Sequence, residues 1–239
     1  MELIVTTDWL AGELGVEDLE VLDYTVFSHV GDGTYVAESG RANFETAHIP
    51  GAGFADLIAD LADADSPWDF ALPTPKDFGA AMERLGVADG RRVVLYDESG
   101  SRWASRVWFM LRWIGFDHAA TLDGGLKAWR AEGRQLDSGP DTSTPCAAGS
   151  LSLAPRPHIV ADKAEVMAAI DDGATCLVDA MPGAIYRGDV RPYSRGGHIA
   201  GAISIPAGSM VDDETGRFLP LDDVRAMFPD RPEARMVAY

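Results

Sequence analysis

The feature that most constrains the fold is a pattern that occurs twice along the chain. The sequence AHIPGAGF surrounds His48, and the sequence GHIAGAIS surrounds His198. Each copy follows an apolar run that ends in an aspartate, at Asp23 in the first half and at Asp179 in the second. Self-similarity of this kind indicates that one structural unit is built twice. Both histidines recur in equivalent positions, so shared structure explains them better than catalysis does.

Short apolar runs alternate with helical patterns in both halves. The runs EVLDYTVF, from Glu20, and RRVVLYD, from Arg91, are typical of buried strands. Thr74 as N-cap, Pro75 as first residue and Gly86 as terminator delimit a helix. The segment SRWASRVWFMLRWIGF has an apolar stripe at helical spacing. This alternation predicts the α/β class, with a mainly parallel sheet covered by helices on both faces in each half.

A segment without apolar periodicity separates the two halves. The sequence EGRQLDSGPDTSTPCAAGSLSLAPRP is rich in Ser, Thr, Gly and Pro, which is typical of a linker. We therefore predict a first domain over 1–135, a linker over 136–157 and a second domain over 158–239. The first half continues past RRVVLYD with a further strand and two helices, whereas the second half reaches only Tyr239 in the ARMVAY strand. If both halves form the same unit, the second domain as given is expected to be incomplete, because it lacks the counterparts of that strand and those two helices.

The charge balance restricts the classes of partner. The chain carries a formal net charge of -18 and has a pI near 4.5. This acidity disfavours nucleic acid and membrane surfaces, whereas local arginines still permit a small anion. Neither a leader sequence nor a membrane-spanning stretch is recognisable, so we expect a cytoplasmic protein. The two cysteines, Cys146 and Cys176, exclude a disulfide scaffold and match no zinc signature.

A series of motifs in collinear order resembles the tandem rhodanese-like sulfurtransferases, the family of thiosulfate and 3-mercaptopyruvate sulfurtransferases. The most specific are the two HI-x-GA boxes, LDGG followed by Trp129, and RPYSRGGHIAGAISIP. The segments LDYT, DSPWDFALP, VVLYDESG, RVWFMLRWIGF, LVDA and YRG extend the match over most of the chain. The resemblance implies two rhodanese-like domains, the first of them non-catalytic, and it implies no metal or cofactor.

In this family, a strand leads into a loop that in the second domain begins with the catalytic cysteine. Backbone N–H groups of the loop and the following helix N-terminus favour a thiolate, which is the nucleophile. The equivalent residue of the first half is Asp97, which cannot carry sulfur, and Ser101 is expected to cap the next helix. In the second half the cysteine is expected immediately after Tyr239. Cys176, in a predicted core strand, and Cys146, in the linker, are not expected to replace it.

The resemblance also implies a substrate site that contains arginines. Family members place one arginine shortly before the second histidine, and Arg191 matches it. Another is expected just before an aromatic residue, where this chain has Ile185, and Arg187 follows the aromatic instead. Guanidinium groups suit carboxylate-like or sulfonate-like oxygens. Asp56 matches an acidic position near the domain interface, and Phe70 stands where mercaptopyruvate enzymes commonly have a histidine.

The resemblance therefore implies a sulfurtransferase that works through a cysteine persulfide. The expected donor is a small anion, thiosulfate or 3-mercaptopyruvate, and the expected acceptor is cyanide or a thiol. Ile185 and Phe70 favour thiosulfate, because neither side chain can hydrogen-bond the carboxylate of mercaptopyruvate. Two alternatives stay open, a non-catalytic binding or regulatory module and a phosphatase-like relative. Residues 1–239 alone are expected to be inactive.

Overall fold

A computed structural model describes residues 1–31, 34–141, 149–230 and 234–239 of the chain. It confirms the α/β class. The strands are β1 (Ile4–Val5), β2 (Leu19–Asp23), β3 (Val26–Gly31), β4 (Thr34–Ser39), β5 (Gly53–Phe54), β6 (Arg92–Tyr96), β7 (Ala119–Leu122), β8 (Cys176–Asp179), β9 (Ile203–Ser204) and β10 (Met236–Ala238). The helices are α1 (Thr7–Glu13), α2 (Arg41–Thr46), α3 (Pro75–Arg84), α4 (Arg102–Trp113), α5 (Gly125–Ala131), α6 (Lys163–Asp172), α7 (Gly183–Tyr186) and α8 (Leu221–Ala226), with 3-10 turns at Pro157–Ile159 and Ala207–Met210.

Two parallel sheets form the framework. β1, β7, β6, β2 and β5 lie side by side in that order, and each neighbouring pair is parallel. The second sheet has the order β10, β8, β9, again with parallel pairs. β8 therefore occupies the place that β2 has in the first sheet, between the counterparts of β6 and β5. β3 and β4 pair separately in a two-stranded sheet.

The described residues group into two compact units. Unit 1 consists of Met1–Phe27, Ala37–Pro157 and Asp213–Arg217, and unit 2 consists of Ser28–Val36, His158–Asp212 and Phe218–Tyr239. The division into domains over 1–135 and 158–239 with a linker over 136–157 stays a prediction. No helix among the described residues is long and apolar enough to cross a membrane.

The core of unit 1 is centred on β6. Val93, Val94, Leu95 and Tyr96 are fully buried, because β6 has a strand on each side and helices cover a central parallel strand. α4 packs on β6 and β7, and Trp103, Val107 and Leu111 of its predicted apolar stripe are buried as expected. Trp108, the other residue of that stripe, is only half-buried. Trp129 of α5 belongs to the same apolar cluster as Tyr96, so the LDGG-Trp motif supplies part of this core.

Side-chain caps begin two of the predicted helices. Thr74 accepts a hydrogen bond from the Asp77 N–H at 3.2 Å, and Pro75 is the first residue of α3, as predicted. At α6, Asp162 and Glu165 form a reciprocal capping box. The expectation that Ser101 caps α4 is wrong. Ser101 occupies the N-cap position, but its side chain makes no capping hydrogen bond.

The predicted strand EVLDYTVF is two strands, which corrects the sequence-based interpretation. β2 ends at Asp23 and β3 begins at Val26. The Asp23 carboxylate accepts hydrogen bonds from the Thr25 N–H at 2.8 Å and from Thr25 Oγ1 at 2.5 Å. An aspartate that bonds to the backbone two residues ahead forms a local turn, and this turn interrupts the apolar run.

Residues 149–157, at the end of the predicted linker, are ordered in unit 1. The Ala154 N–H donates to Ile114 O at 2.8 Å, just past the end of α4. A Cβ at Gly79 would lie 2.8 Å from Leu153, so the glycine allows Leu153 to lie against α3. Leu151 is buried. This segment therefore adds apolar contacts to unit 1 despite its linker-like composition.

Candidate functional site

The carboxyl ends of β8 and β10 meet at one edge of the unit 2 sheet. The Ala180 N–H donates to Tyr239 O at 3.0 Å, directly after β8. Tyr239 Oη accepts the Ile199 N–H at 2.8 Å, and burial raises the pKa of Tyr239 to about 12. The buried Asp179 carboxylate accepts the Met181 N–H at 2.9 Å. These bonds fix the start of the loop that carries the predicted arginines, at the edge where parallel sheets usually bind ligands.

Arg191 lies on this loop, between α7 and β9. Its Nε donates to Gly188 O at 3.1 Å. A Cβ at Gly196 would lie 2.9 Å from Arg191 Cγ, so the glycine leaves room for the arginine stem. No described residue hydrogen-bonds the terminal Nη nitrogens of Arg191. The Nη groups are the donors that bidentate binding of a small oxyanion uses.

Arg187 follows α7 directly and is the second predicted arginine. Its Nε lies 2.9 Å from Asp189 Oδ2, and both side chains are more than half exposed, at 62% and 61%. An exposed ion pair of this kind contributes little stability, so an anion can displace Asp189 at small cost. Ile185, where the resemblance implied an arginine, lies in α7 and is half-buried. The substrate-binding roles of Arg187 and Arg191 stay predictions.

Asp56, the third predicted substrate-binding residue, belongs to unit 1. Its Oδ2 accepts a hydrogen bond from Ser39 Oγ at 2.7 Å. Its Oδ1 accepts the N–H groups of Ile58 and Ala59, both at 3.0 Å. These bonds give Asp56 a local structural role in the turn after β5. A role in substrate binding stays a prediction.

Phe70, which stands where a mercaptopyruvate enzyme commonly has histidine, also belongs to unit 1. Its backbone has a φ of 57°, in the left-handed region that large residues rarely adopt. Its ring lies 4.7 Å from the ring of Trp103, and its carbonyl accepts a hydrogen bond from Arg106. Contacts from α4 therefore hold the strained residue in place.

The two repeated histidines make the same contacts in each half. The His48 ring stacks on Phe44 at 3.9 Å, and its Nδ1 lies 2.7 Å from Phe44 O. The His198 ring stacks on Tyr186 at 3.7 Å, and its Nδ1 lies 2.8 Å from Tyr186 O. An arrangement common to both halves supports the interpretation that these histidines are structural.

Cys176 lies inside the unit 2 sheet and not at its carboxyl edge. It begins β8, is only 7% exposed, and packs in a cluster with Val178 and Ile205. A buried thiol among apolar side chains is shielded from dissolved reagents. The other cysteine, Cys146, lies outside the described residues.

Sequence reasoning missed the structural role of Asp97, at the carboxyl edge of the unit 1 sheet. Its carboxylate, and not the Ser101 hydroxyl, accepts the N–H groups of Trp103 and Ala104 in the first turn of α4. An acidic residue between a buried strand and a helix start is the signal that could have shown this.

A cleft of about 440 Å³ elsewhere in unit 1 is lined by His48 and Asp137 among others, and it contains none of the predicted site residues.

Comparison with known proteins gives one family and a consistent set of relatives. Residues 6–132 match the family model of the rhodanese-like domain. The chain is 32% identical to the 3-mercaptopyruvate sulfurtransferase of Escherichia coli K12 over 94% of this chain and 77% of that protein. It is 30% identical to the thiosulfate sulfurtransferase of Rattus norvegicus, over 95% of this chain and 76% of that protein.

A solved structure agrees with these relatives. The crystal structure of SseA from Escherichia coli, a 3-mercaptopyruvate sulfotransferase, superposes with a TM-score of 0.84 at 29% identity. The superposition covers all of this chain and 88% of SseA. Both sheets of this protein therefore have counterparts in a solved structure.

Proposed function

We infer a sulfur-transfer function from one premise: this chain belongs to the rhodanese-like family, which its family match and its relatives show. The resemblance seen in the sequence motifs is thereby confirmed. The relatives are sulfurtransferases, so sulfur transfer is the general activity they support. The donor, the acceptor and the covalent intermediate are the finer parts of the proposal.

We propose that the full-length protein moves the sulfane sulfur of thiosulfate, or the thiol sulfur of 3-mercaptopyruvate, to cyanide or a thiol. A cysteine thiolate attacks the outer sulfur of thiosulfate, the S–S bond breaks, and sulfite leaves with the bonding electron pair. The enzyme then carries a persulfide. Cyanide or a thiolate attacks the outer sulfur of the persulfide, and the cysteine thiolate is released for the next cycle.

The observation that carries this proposal is the arginine loop after β8. The chain as a whole has a net charge of -18, which repels anions at long range. Arg187 and Arg191 nevertheless lie on one loop of unit 2, and no described residue bonds the Arg191 Nη groups. Two guanidinium groups within a short loop offer a local site for a small oxyanion, because nearby charges outweigh distant, screened ones.

We propose thiosulfate as the preferred donor. Ile185 and Phe70 supply no side-chain hydrogen-bond donor for the carboxylate of mercaptopyruvate. The relatives include enzymes of both names, so donor preference depends on local residues more than on family membership. Asp56, Arg187 and Arg191 are the proposed substrate-site residues.

We also propose that Cys176 is not the nucleophile. It is 7% exposed within β8, whereas a sulfur carrier must meet both donor and acceptor. The proposed nucleophile is a cysteine at the carboxyl end of β10, immediately after Tyr239. On this proposal, residues 1–239 alone are inactive.

Intact mass spectrometry after incubation with thiosulfate tests the proposal. We expect the full-length protein to gain the mass of one sulfur atom and to lose it on addition of cyanide. Residues 1–239 alone should show no gain, and Cys176→Ala in the full-length protein should leave the gain unchanged. A persulfide on Cys146 or Cys176 in residues 1–239 would overturn the assignment of the nucleophile.

The alternative is a non-catalytic rhodanese-like module that binds a partner or a small anion. The burial of Cys176, the one described cysteine, is the observation that favours it. Absence of any persulfide on the full-length protein, together with retained thiosulfate binding, would support this alternative. The cytoplasmic location and the absence of nucleic-acid or membrane partners stay predictions.

A further inference from the structure

The loop after β6 in unit 1 encloses a carboxylate that the proposed reaction does not use. Asp97 is 1% exposed. Its Oδ1 accepts the N–H groups of Ser99 at 2.7 Å and Ser101 at 2.9 Å. Its Oδ2 accepts the N–H groups of Trp103 and Ala104, both at 2.9 Å. Four backbone donors thus converge on one anionic group.

Every one of these contacts suits a negative charge. Two donors come from the loop and two from the first turn of α4, a helix of 12 residues whose N-terminus favours anions. Burial raises the pKa of Asp97, while the four N–H bonds oppose that effect and stabilise the ionised form. The buried Ser101 Oγ has no described hydrogen-bond partner, so a further donor lies in the same loop.

Contacts that do not involve the carboxylate also hold the shape of this loop. Ser99 Oγ donates to Val26 O at 2.8 Å, and the Glu98 N–H donates to Thr25 Oγ1 at 3.0 Å. The Asp97 carbonyl accepts the Leu126 N–H at 3.1 Å. Removal of the carboxylate therefore leaves a cavity lined by oriented N–H donors, because the surrounding backbone is tied down separately.

We propose that segment 97–104 is a binding site for one small anion and that the Asp97 carboxylate is its resident ligand. With that carboxylate removed, the site takes a free anion of the formate class. This inference does not rest on the sulfur-transfer reaction. Its consequence for the native protein is that unit 1 has an anion site already filled by its own side chain and closed to dissolved anions.

Asp97→Ala in the presence of formate tests the proposal, because the deleted atoms are those of a formate ion. A ligand that binds only the folded state stabilises it by mass action. At ten times its dissociation constant, formate should raise the Tm of the variant by about 3–6 °C. Wild type and Asp97→Asn, in which the site stays filled, should show no such rise, and chloride at equal ionic strength serves as the salt control.

Equal effects of formate on Asp97→Ala and on wild type would overturn the proposal. If Asp97→Ala does not fold, Asp97→Cys decides the question in a background where Cys146 and Cys176 are alanine. The ultraviolet absorbance of its thiolate, followed during a pH titration, should give an apparent pKa at least about one unit below that of Ser138→Cys, placed on an exposed loop. A thiol that titrates at or above the control value would refute an anion-binding site.

Discussion

Replacement of Asp23 by asparagine tests whether a buried carboxyl group at the end of β2 controls the pH dependence of folding. Asp23 is 1% exposed, and Thr25 donates two hydrogen bonds to its Oδ1. Asp97 adds a second negative charge nearby, which also raises the pKa of Asp23. Burial is the largest effect and raises the pKa of Asp23 from its ordinary value of 3.8 to about 7.

The raised pKa determines the sign and the size of the effect. Between the two pKa values the folded protein holds a proton that the unfolded chain has lost, so stability falls as the pH rises. The stability that comes from this retained proton is fully present below pH 3.8 and is lost as the pH rises to about 7. At about 1.36 kcal/mol per pH unit, ionisation of Asp23 in the folded protein costs about 4 kcal/mol.

Urea unfolding at several pH values between about 4 and 8 measures this cost. Asparagine keeps the Oδ1 acceptor and has no proton to lose. We therefore expect the free energy of unfolding of Asp23→Asn to rise relative to wild type by about 4 kcal/mol across this range. Asp18→Asn is the control of opposite sign. The hydrogen bond from Arg92 lowers the pKa of Asp18, so the stability that Asp18 contributes is lost on acidification. A wild-type-to-variant difference that is constant with pH would refute the reasoning.

Three further substitutions test other parts of the structure. Arg191→Ala in the full-length protein should raise the KM for thiosulfate about 10-fold to 100-fold with no change in Tm, whereas the exposed Arg225→Ala on α8 should change neither. Gly40→Ala should lower the free energy of unfolding by about 1–3 kcal/mol in urea titrations, because its Cβ would lie 2.5 Å from Thr25 O. Asp162→Ala should lower the free energy of unfolding, measured in the same titrations, by about 1 kcal/mol because it removes the capping box of α6. Asp162→Asn should keep most of that stability.

The parts of the fold that depend on local patterns were predictable from sequence. Thr74, Pro75 and Gly86 delimit α3 as expected, because capping and the end of a helix depend on nearby residues. The buried run ending at Tyr96 is a central strand, because β-branched residues between polar ends leave few alternatives. The break after Asp23 was not predictable in this way, because it depends on a side-chain hydrogen bond within an apolar run.

The candidate site was predictable only as a set of residues. The sequence placed Arg187 and Arg191 on one loop. It could not show that Arg187 pairs with Asp189, or that Arg191 donates a hydrogen bond to the carbonyl of Gly188. These contacts depend on loop geometry, which no periodic pattern encodes. The place of Asp97 between a buried strand and a helix start indicates a capping residue, but the convergence of four N–H groups on its carboxylate is seen only in the folded loop.

The division into two units has an optical consequence. All six tryptophans of the chain lie at or before position 129, and unit 1 contains every one of them. The aromatic side chains of unit 2 include Tyr186, Tyr193 and Tyr239, but no tryptophan. Light absorbed at the red edge of the protein spectrum therefore reports on unit 1 alone. Comparison of tryptophan emission with far-ultraviolet circular dichroism would show whether the two units lose their structure in one step or in two.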